Sequence, residues 1–185
     1  IPAVDRKELE RKLAEAARRW DDGLRDALTE AEGEARGIAL FKGWSTAFPP
    51  EYRERVPARA AVPDVRTIAS LSPASPLALA LYRPLGGGNS ALGFKVYRLG
   101  EPIVLSDSLP MLERMGLRVL DERPHRIAPA GRAPIWMHDL GILSAHDADL
   151  EIDTLHQVFE DSFGRVFRGE GERESSQKYL WQTDH

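Results

Sequence analysis

The sequence predicts an α+β fold in which a helical segment over residues 1–71 precedes a four-stranded antiparallel sheet with two helices over residues 77–170, in the order ββαββα. Two observations carry this expectation. Apolar residues recur at helical spacing as far as about residue 71, and from Leu77 onward they alternate, as strand residues do. The run LSDSLPMLERMGLRVLDERPHRI, residues 105–127, also contains a helix start, a helix stop and a strand in close succession.

Each element has its own signal. Asp5 with Glu8 three positions on makes a capping-box-like start, and Leu9, Leu13, Ala16, Ala17, Trp20, Leu24, Ala27 and Leu28 follow on one helical stripe, so a long amphipathic helix reaches about Ala31. Its other face alternates basic and acidic residues, as a solvated face does. Gly33 loosens this helix, and Ile38, Leu40, Phe41, Trp44 and Phe48 define a second one that Pro49-Pro50 stops. A short third helix follows Pro63, carried by Val65, Ile68 and Leu71. The segment 72–76, with two prolines and two serines, is the domain boundary.

Beyond that boundary, Leu77, Leu79 and Leu81 share one face of a strand, and Leu92, Phe94 and Val96 share one face of the next. Gly86-Gly87-Gly88-Asn89 joins them as a hairpin tip, because it lacks the downstream Lys and Ser/Thr of a phosphate loop. Ser106, Asp107 or Ser108 then caps a helix that starts between 106 and 109, with Pro110 in its first turn and Gly116 at its end. Leu117, Val119 and Leu120 open a third strand, and a fourth runs from Ile135 to Leu143. A final helix is expected from Asp153, with Leu155, Val158, Phe159, Phe163, Val166 and Phe167 on one stripe, closed by Gly169. A ferredoxin-like unit runs βαββαβ with its last strand beside its first, so moving that strand to the front yields ββαββα, a circular permutation. One sheet face would lie beneath the two helices, and the other would need a cover.

Composition narrows the function classes. The chain has 185 residues, of which 42% are apolar, enough for a substantial core. Without cysteine there are no disulfides, thiolate metal sites or cysteine nucleophiles, which suits a reducing cytoplasm. A net charge of -4 leaves no basic footprint for nucleic acid, and no apolar run approaches a membrane span. His138-Asp139 and His146-Asp147 are poorly spaced for a metal, and His138 reads as a surface or interface residue. Asp121, Glu122 and Arg123 form a charged step at a strand end, and neighbours in a strand point to opposite faces, which favours salt-bridge and turn roles over an acid–base pair. No catalytic, cofactor or metal residue is therefore expected. The one candidate ligand site is the turn from Gly100 into the helix start at Ser106 and Asp107, where exposed N–H groups could hold the carboxylate of a small amino-acid effector.

Residues 105–127, then IWMHDLGIL, then VFRGE, with FPPEYRE and LALALYRP upstream, resemble the large bacterial NAD-specific glutamate dehydrogenases over roughly Trp20 to Glu170. In that family these motifs lie ahead of the catalytic core, among ACT-like regulatory modules, which are themselves ferredoxin-like. The resemblance implies a parent enzyme that converts L-glutamate to 2-oxoglutarate and ammonia with NAD, while this segment carries neither active site nor cofactor. It implies as partner the remainder of the parent chain, whereas a homo-oligomer is expected only from the uncovered sheet face, which either the N-terminal helices or another copy would cover. The tail over residues 171–185, including ESSQKYLWQTDH, departs from the family pattern and stays uninterpreted. The competing expectation from another class is a freestanding ferredoxin-like module for a small ligand or a protein.

Overall fold

The structure is a computed structural model that describes residues 5–86, 88, 90–114, 116–144 and 178–181. The expected final helix, His146-Asp147, Gly87, Asn89 and most of the tail lie outside the described residues. The chain divides into two compact units, Ile1–Ser70 with Arg126–Pro134, and Leu71–His125 with Ile135–His185.

In the first unit, helix α1 spans Arg6–Glu32, and the Asp5 carboxylate accepts the Lys7 N–H at 3.1 Å, which satisfies an orphan donor of the first turn. Trp20, Leu24, Ala27 and Leu28 are its buried residues. Gly33 joins it to α2 (Glu34–Trp44) with φ 87 and ψ 163, a backbone region essentially reserved for glycine. A Cβ on Gly37 would stand 2.6 Å from the Thr29 Cα, so α1 and α2 touch backbone to backbone. The second helix ends at Trp44 rather than carrying on to Phe48, because the chain tightens there and the Ala47 N–H bonds the Trp44 carbonyl at 3.0 Å. Pro49-Pro50 also does more than stop a helix. Pro50 opens a further short helix, α3 (Pro50–Arg55), at a position where its missing N–H costs nothing. A 3-10 turn (Ala58–Ala61) then leads into α4 (Val62–Ser70).

The core of this unit is aromatic and polar at once. Phe48 stacks on Tyr52 with centroids 4.7 Å apart, and Trp20 meets both rings. Arg53 lies over the Trp20 ring and donates to Asp21 at 2.9 Å and to the Ser45 and Phe48 carbonyls. The Tyr52 hydroxyl donates to Asp64 at 2.5 Å, with both residues fully buried. The segment 126–134 joins the unit through Ala128, whose N–H bonds the Ala47 carbonyl, and Arg132, which covers the Trp44 ring.

In the second unit, β1 (Leu77–Tyr82), β2 (Ala91–Leu99), α5 (Leu105–Arg114), β3 (Leu117–Ile127), β4 (Ile135–Ser144) and β5 (Lys178–Trp181) form an α+β arrangement with sheet order β3-β4-β2-β1-β5. The four strands expected from the sequence make its antiparallel part; β5, from the uninterpreted tail, pairs parallel with β1. The alternation is realised as expected: Leu77, Leu79, Leu81, Leu92, Phe94 and Val96 pack on one face with Ile103, Leu112, Leu140 and Ile142. Burying each such side chain is worth about 1.5–3 kcal/mol. The opposite face does not lie bare, since Ala78, Ala80, Tyr97, Ile135 and Met137 are buried too.

Two boundaries differ from expectation. Helix α5 begins at Leu105, which puts Ser106 and Asp107 inside its first turn and Pro110 in its interior, where the ring removes the bond to the Ser106 carbonyl. Strand β3 continues through Pro124 to Ile127, so Asp121, Glu122 and Arg123 lie in mid-strand. An edge strand tolerates this proline because one row of its N–H groups has no ladder to join.

Candidate effector turn and its anchor

The candidate site grows out of the end of β2. Gly100 has φ 93, a left-handed conformation that costs glycine nothing, and it turns the chain out of the sheet toward α5. Arg98 holds the turn from one side, donating to the Pro102 carbonyl and to the Glu101 carboxylate, each at 3.3 Å. Ile103 plugs the apolar core, and its N–H donates to Nε2 of His138 at 3.1 Å. Nδ1 of His138 lies 2.7 Å from Oε1 of Glu122. A backbone N–H can only donate, so Nε2 accepts, and the ring proton sits on Nδ1 and points at the Glu122 carboxylate.

This corrects the sequence reading of His138. It is no surface histidine: 3% exposed, it stands on the core face of β4 with Leu140 and Ile142 and ties three segments together. The ring is buried because it arrives with both nitrogens satisfied, the condition on which a polar group enters a core. Glu122, read as part of a charged step, is its partner from β3 and remains about one-third exposed. Asp121 faces elsewhere, as strand alternation requires.

Of the predicted site residues, Gly100 makes the turn and Ser106 is exposed in the first turn of α5, with Asp107 beside it in the chain. The first-turn N–H groups of a helix lack partners within the helix, and groups of that kind can bind an anion. Among the described residues no group of three or more His, Asp or Glu is placed to hold a metal.

A second polar cluster went unread. Tyr82, Gly93 and Gly141 follow one another across β1, β2 and β4, and Asp121 on β3 completes the row by accepting the Gly141 N–H at 3.1 Å. The Tyr82 ring lies flat on Gly93, where a Cβ would come within 2.0 Å of it. Its hydroxyl donates to Asp139 at 2.7 Å, and Lys95 stands 4.9 Å from the ring centroid. Beside this row lies a cleft of about 240 Å³ lined by Tyr82, Leu120, Asp121, Arg123 and Asp139 among others. The available signal was the pair of glycines in mid-strand, which marks a close approach.

Residues 76–155 match the glutamate dehydrogenase ACT3 domain, and residues 27–71 match glutamate dehydrogenase helical motif 2. The chain belongs to the NAD-specific glutamate dehydrogenase family. It is 35% identical over 172 residues to the NAD-specific glutamate dehydrogenase of Pseudomonas aeruginosa, which covers 93% of this chain and 11% of that protein. The Halomonas elongata enzyme is 37% identical over 176 residues, 95% of this chain and 11% of the relative. A more distant match, from Mycobacterium tuberculosis, is 31% identical over 142 residues, 77% of this chain and 8% of the relative. The 185 residues thus span about a tenth of the length of the family members they match. No helix among the described residues is long and apolar enough to cross a membrane.

Proposed function

We propose that this chain is a noncatalytic regulatory or assembly segment of a large cytoplasmic NAD-dependent glutamate dehydrogenase. The parent enzyme would deaminate L-glutamate oxidatively to 2-oxoglutarate and ammonia, with NAD taking the hydride at a site elsewhere in the polypeptide. The observation that carries the reading is the order of the two family matches, a helical motif and then an ACT domain, on a chain that spans 11% of its relatives. That small share also favours a segment of a longer chain over a freestanding module.

The sheet supports a permuted ferredoxin-like unit over residues 77–170. In a ferredoxin-like sheet the last strand lies beside the first, and the third lies between the first and second. Carrying the last strand to the front generates the order β1-β2-β4-β3, in keeping with the order of those four strands here.

Within this unit the turn at Gly100, with Ser106 and Asp107 at the head of α5, takes a small amino acid by its carboxylate. The anchor on Ile103 supports the assignment, because a turn held in place before the ligand arrives spares the binding step its ordering cost. A homo-oligomer would use the edge strand β3, since both faces of the central strands are buried. Thermal unfolding in the presence of each common amino acid separates the two roles. A melting temperature that rises and saturates with one of them establishes the sensor, and a flat response to all of them assigns the segment to assembly.

A further inference from the structure

We infer that the first half of α1 is a docking arm, and that its occupant is an amphipathic helix from the part of the parent polypeptide that precedes this segment. The inference rests on the reading of the chain as a piece of a longer one. Leu9, Leu13, Ala16 and Trp20 recur at four-, three- and four-residue intervals and so lie on one stripe of the helix. Trp20 and Leu24 are buried on that stripe, yet Leu9 is 49% and Leu13 57% exposed. Azimuth does not explain the difference, because all of these residues share a face. What changes is cover: every buried residue of α1 comes from its second half, Trp20 onward, and the first fourteen or so residues, about 20 Å of helix, bury none of their side chains.

The rest of the arm's surface is already organised. Arg6 pairs with Glu10, Arg11 with Glu8 and Glu15, and Arg19 with Glu15, all within the helix. Such pairs hold a helix in shape, but most of a helix's stability in a protein comes from packing its apolar face against something. The three-four spacing of the bare stripe is that of a seam between two helices. The upstream chain is the nearest source of the second helix. Consecutive elements usually pack together, and the helical-motif match starts only at residue 27, leaving the arm ahead of it. At 95% coverage the Halomonas elongata match leaves at most nine of the 185 residues outside, so it includes Leu13 and Ala16, and this segment makes up 11% of that relative.

The test compares hydrogen exchange in the full-length native enzyme and in the 185-residue chain alone. Residues 6–19 should exchange roughly tenfold or more slowly in the full-length enzyme, with residues 20–28 unchanged between the two. In the full-length enzyme, Leu9→Asp with Leu13→Asp should return residues 6–19 to the fast exchange of the isolated chain while β1 and β2 keep their protection. Equal exchange of residues 6–19 in both proteins overturns the inference and leaves the parent reading standing. A native polypeptide no longer than these 185 residues overturns both. A Leu13→Cys variant of the full-length enzyme reports the occupant by proximity cross-linking: a link to an upstream peptide of the same chain supports the inference, and a link to Leu13→Cys of a second copy refutes it.

Discussion

Each of the two units buries a polar side chain where elements meet, and the two enclose it differently. In the helical unit Tyr52 and Asp64 are both fully buried, and their bond joins α3 to α4 inside an aromatic cluster. In the sheet unit His138 is buried, but it links the half-buried Glu122 on one side to the Ile103 amide at the mouth of a solvent-facing turn on the other. The first bond lies wholly within the core. The second connects a carboxylate about one-third exposed, through a ring with a fixed tautomer, to the turn proposed to meet an effector. A buried polar pair can therefore serve as cement or as a link to the surface, and what decides is whether either end reaches the outside.

This contrast is open to direct attack. Tyr52→Phe removes the bond to Asp64 deep in the core and should cost about 2–3 kcal/mol, read as a lower urea midpoint. Gly37→Ala drives a methyl group into the backbone of α1 and should cost roughly 1–3 kcal/mol in the same assay, because no side chain there can swing aside. His138→Ala should cost about 1–3 kcal/mol, with an added signature that the helical unit cannot show: faster exchange of the Ile103 amide than of its neighbours in β2. If the Ile103 amide stays protected in that variant, the anchor is mere packing and the comparison fails.

Smaller effects sharpen the picture. Gly93→Ala should push the Tyr82 ring off the sheet and sacrifice its bond to Asp139, about 1 kcal/mol, with the loss visible in the tyrosine ring resonances. Glu32, hydrogen-bonded to Arg66 and close to Arg36, has its carboxyl held below the ordinary glutamate value, first by the Arg66 hydrogen bond and against the opposing pull of burial. A depressed folded-state value means stability that is present above the unfolded-state value and is lost as pH falls through the folded one. After solvent screening, that clamp between α1 and α4 should be worth at most about 0.5 kcal/mol. Denaturation midpoints followed through the acid limb should therefore fall slightly less steeply in Glu32→Gln.

Local signals carried much of the fold, and partners distant in sequence carried the rest. α1 was legible from Asp5 to its end because cap, stripe and Gly33 are all written within one stretch. β1 and β2 were legible because alternation alone tells which residues share a face. Pro50 and Pro110 misled in opposite ways: the first opens a helix where a stop was expected, and the second is tolerated inside one. Backbone consequences of proline depend on where the first hydrogen bond falls, which propensity does not specify. The turn at Gly100 could be found from its glycine and the polar helix start. Its anchor could not, because Glu122, His138 and Ile103 come from three segments that only the sheet order brings together, and a histidine among apolar strand residues looks the same whether it faces water or the core. The Tyr82, Gly93 and Gly141 row was hidden for the same reason, since its members lie on three strands whose register no local pattern records.

These residues belong to the glutamate dehydrogenase family, and we propose that they do so without performing its chemistry. The most direct test measures NADH formation from L-glutamate and NAD by the isolated 185-residue chain and by the full-length native protein, at equal molar concentration. Turnover is expected from the full-length protein and none from the segment. Glutamate-dependent NADH formation by the segment alone, or its absence from a full-length protein that folds and binds NAD, would contradict it.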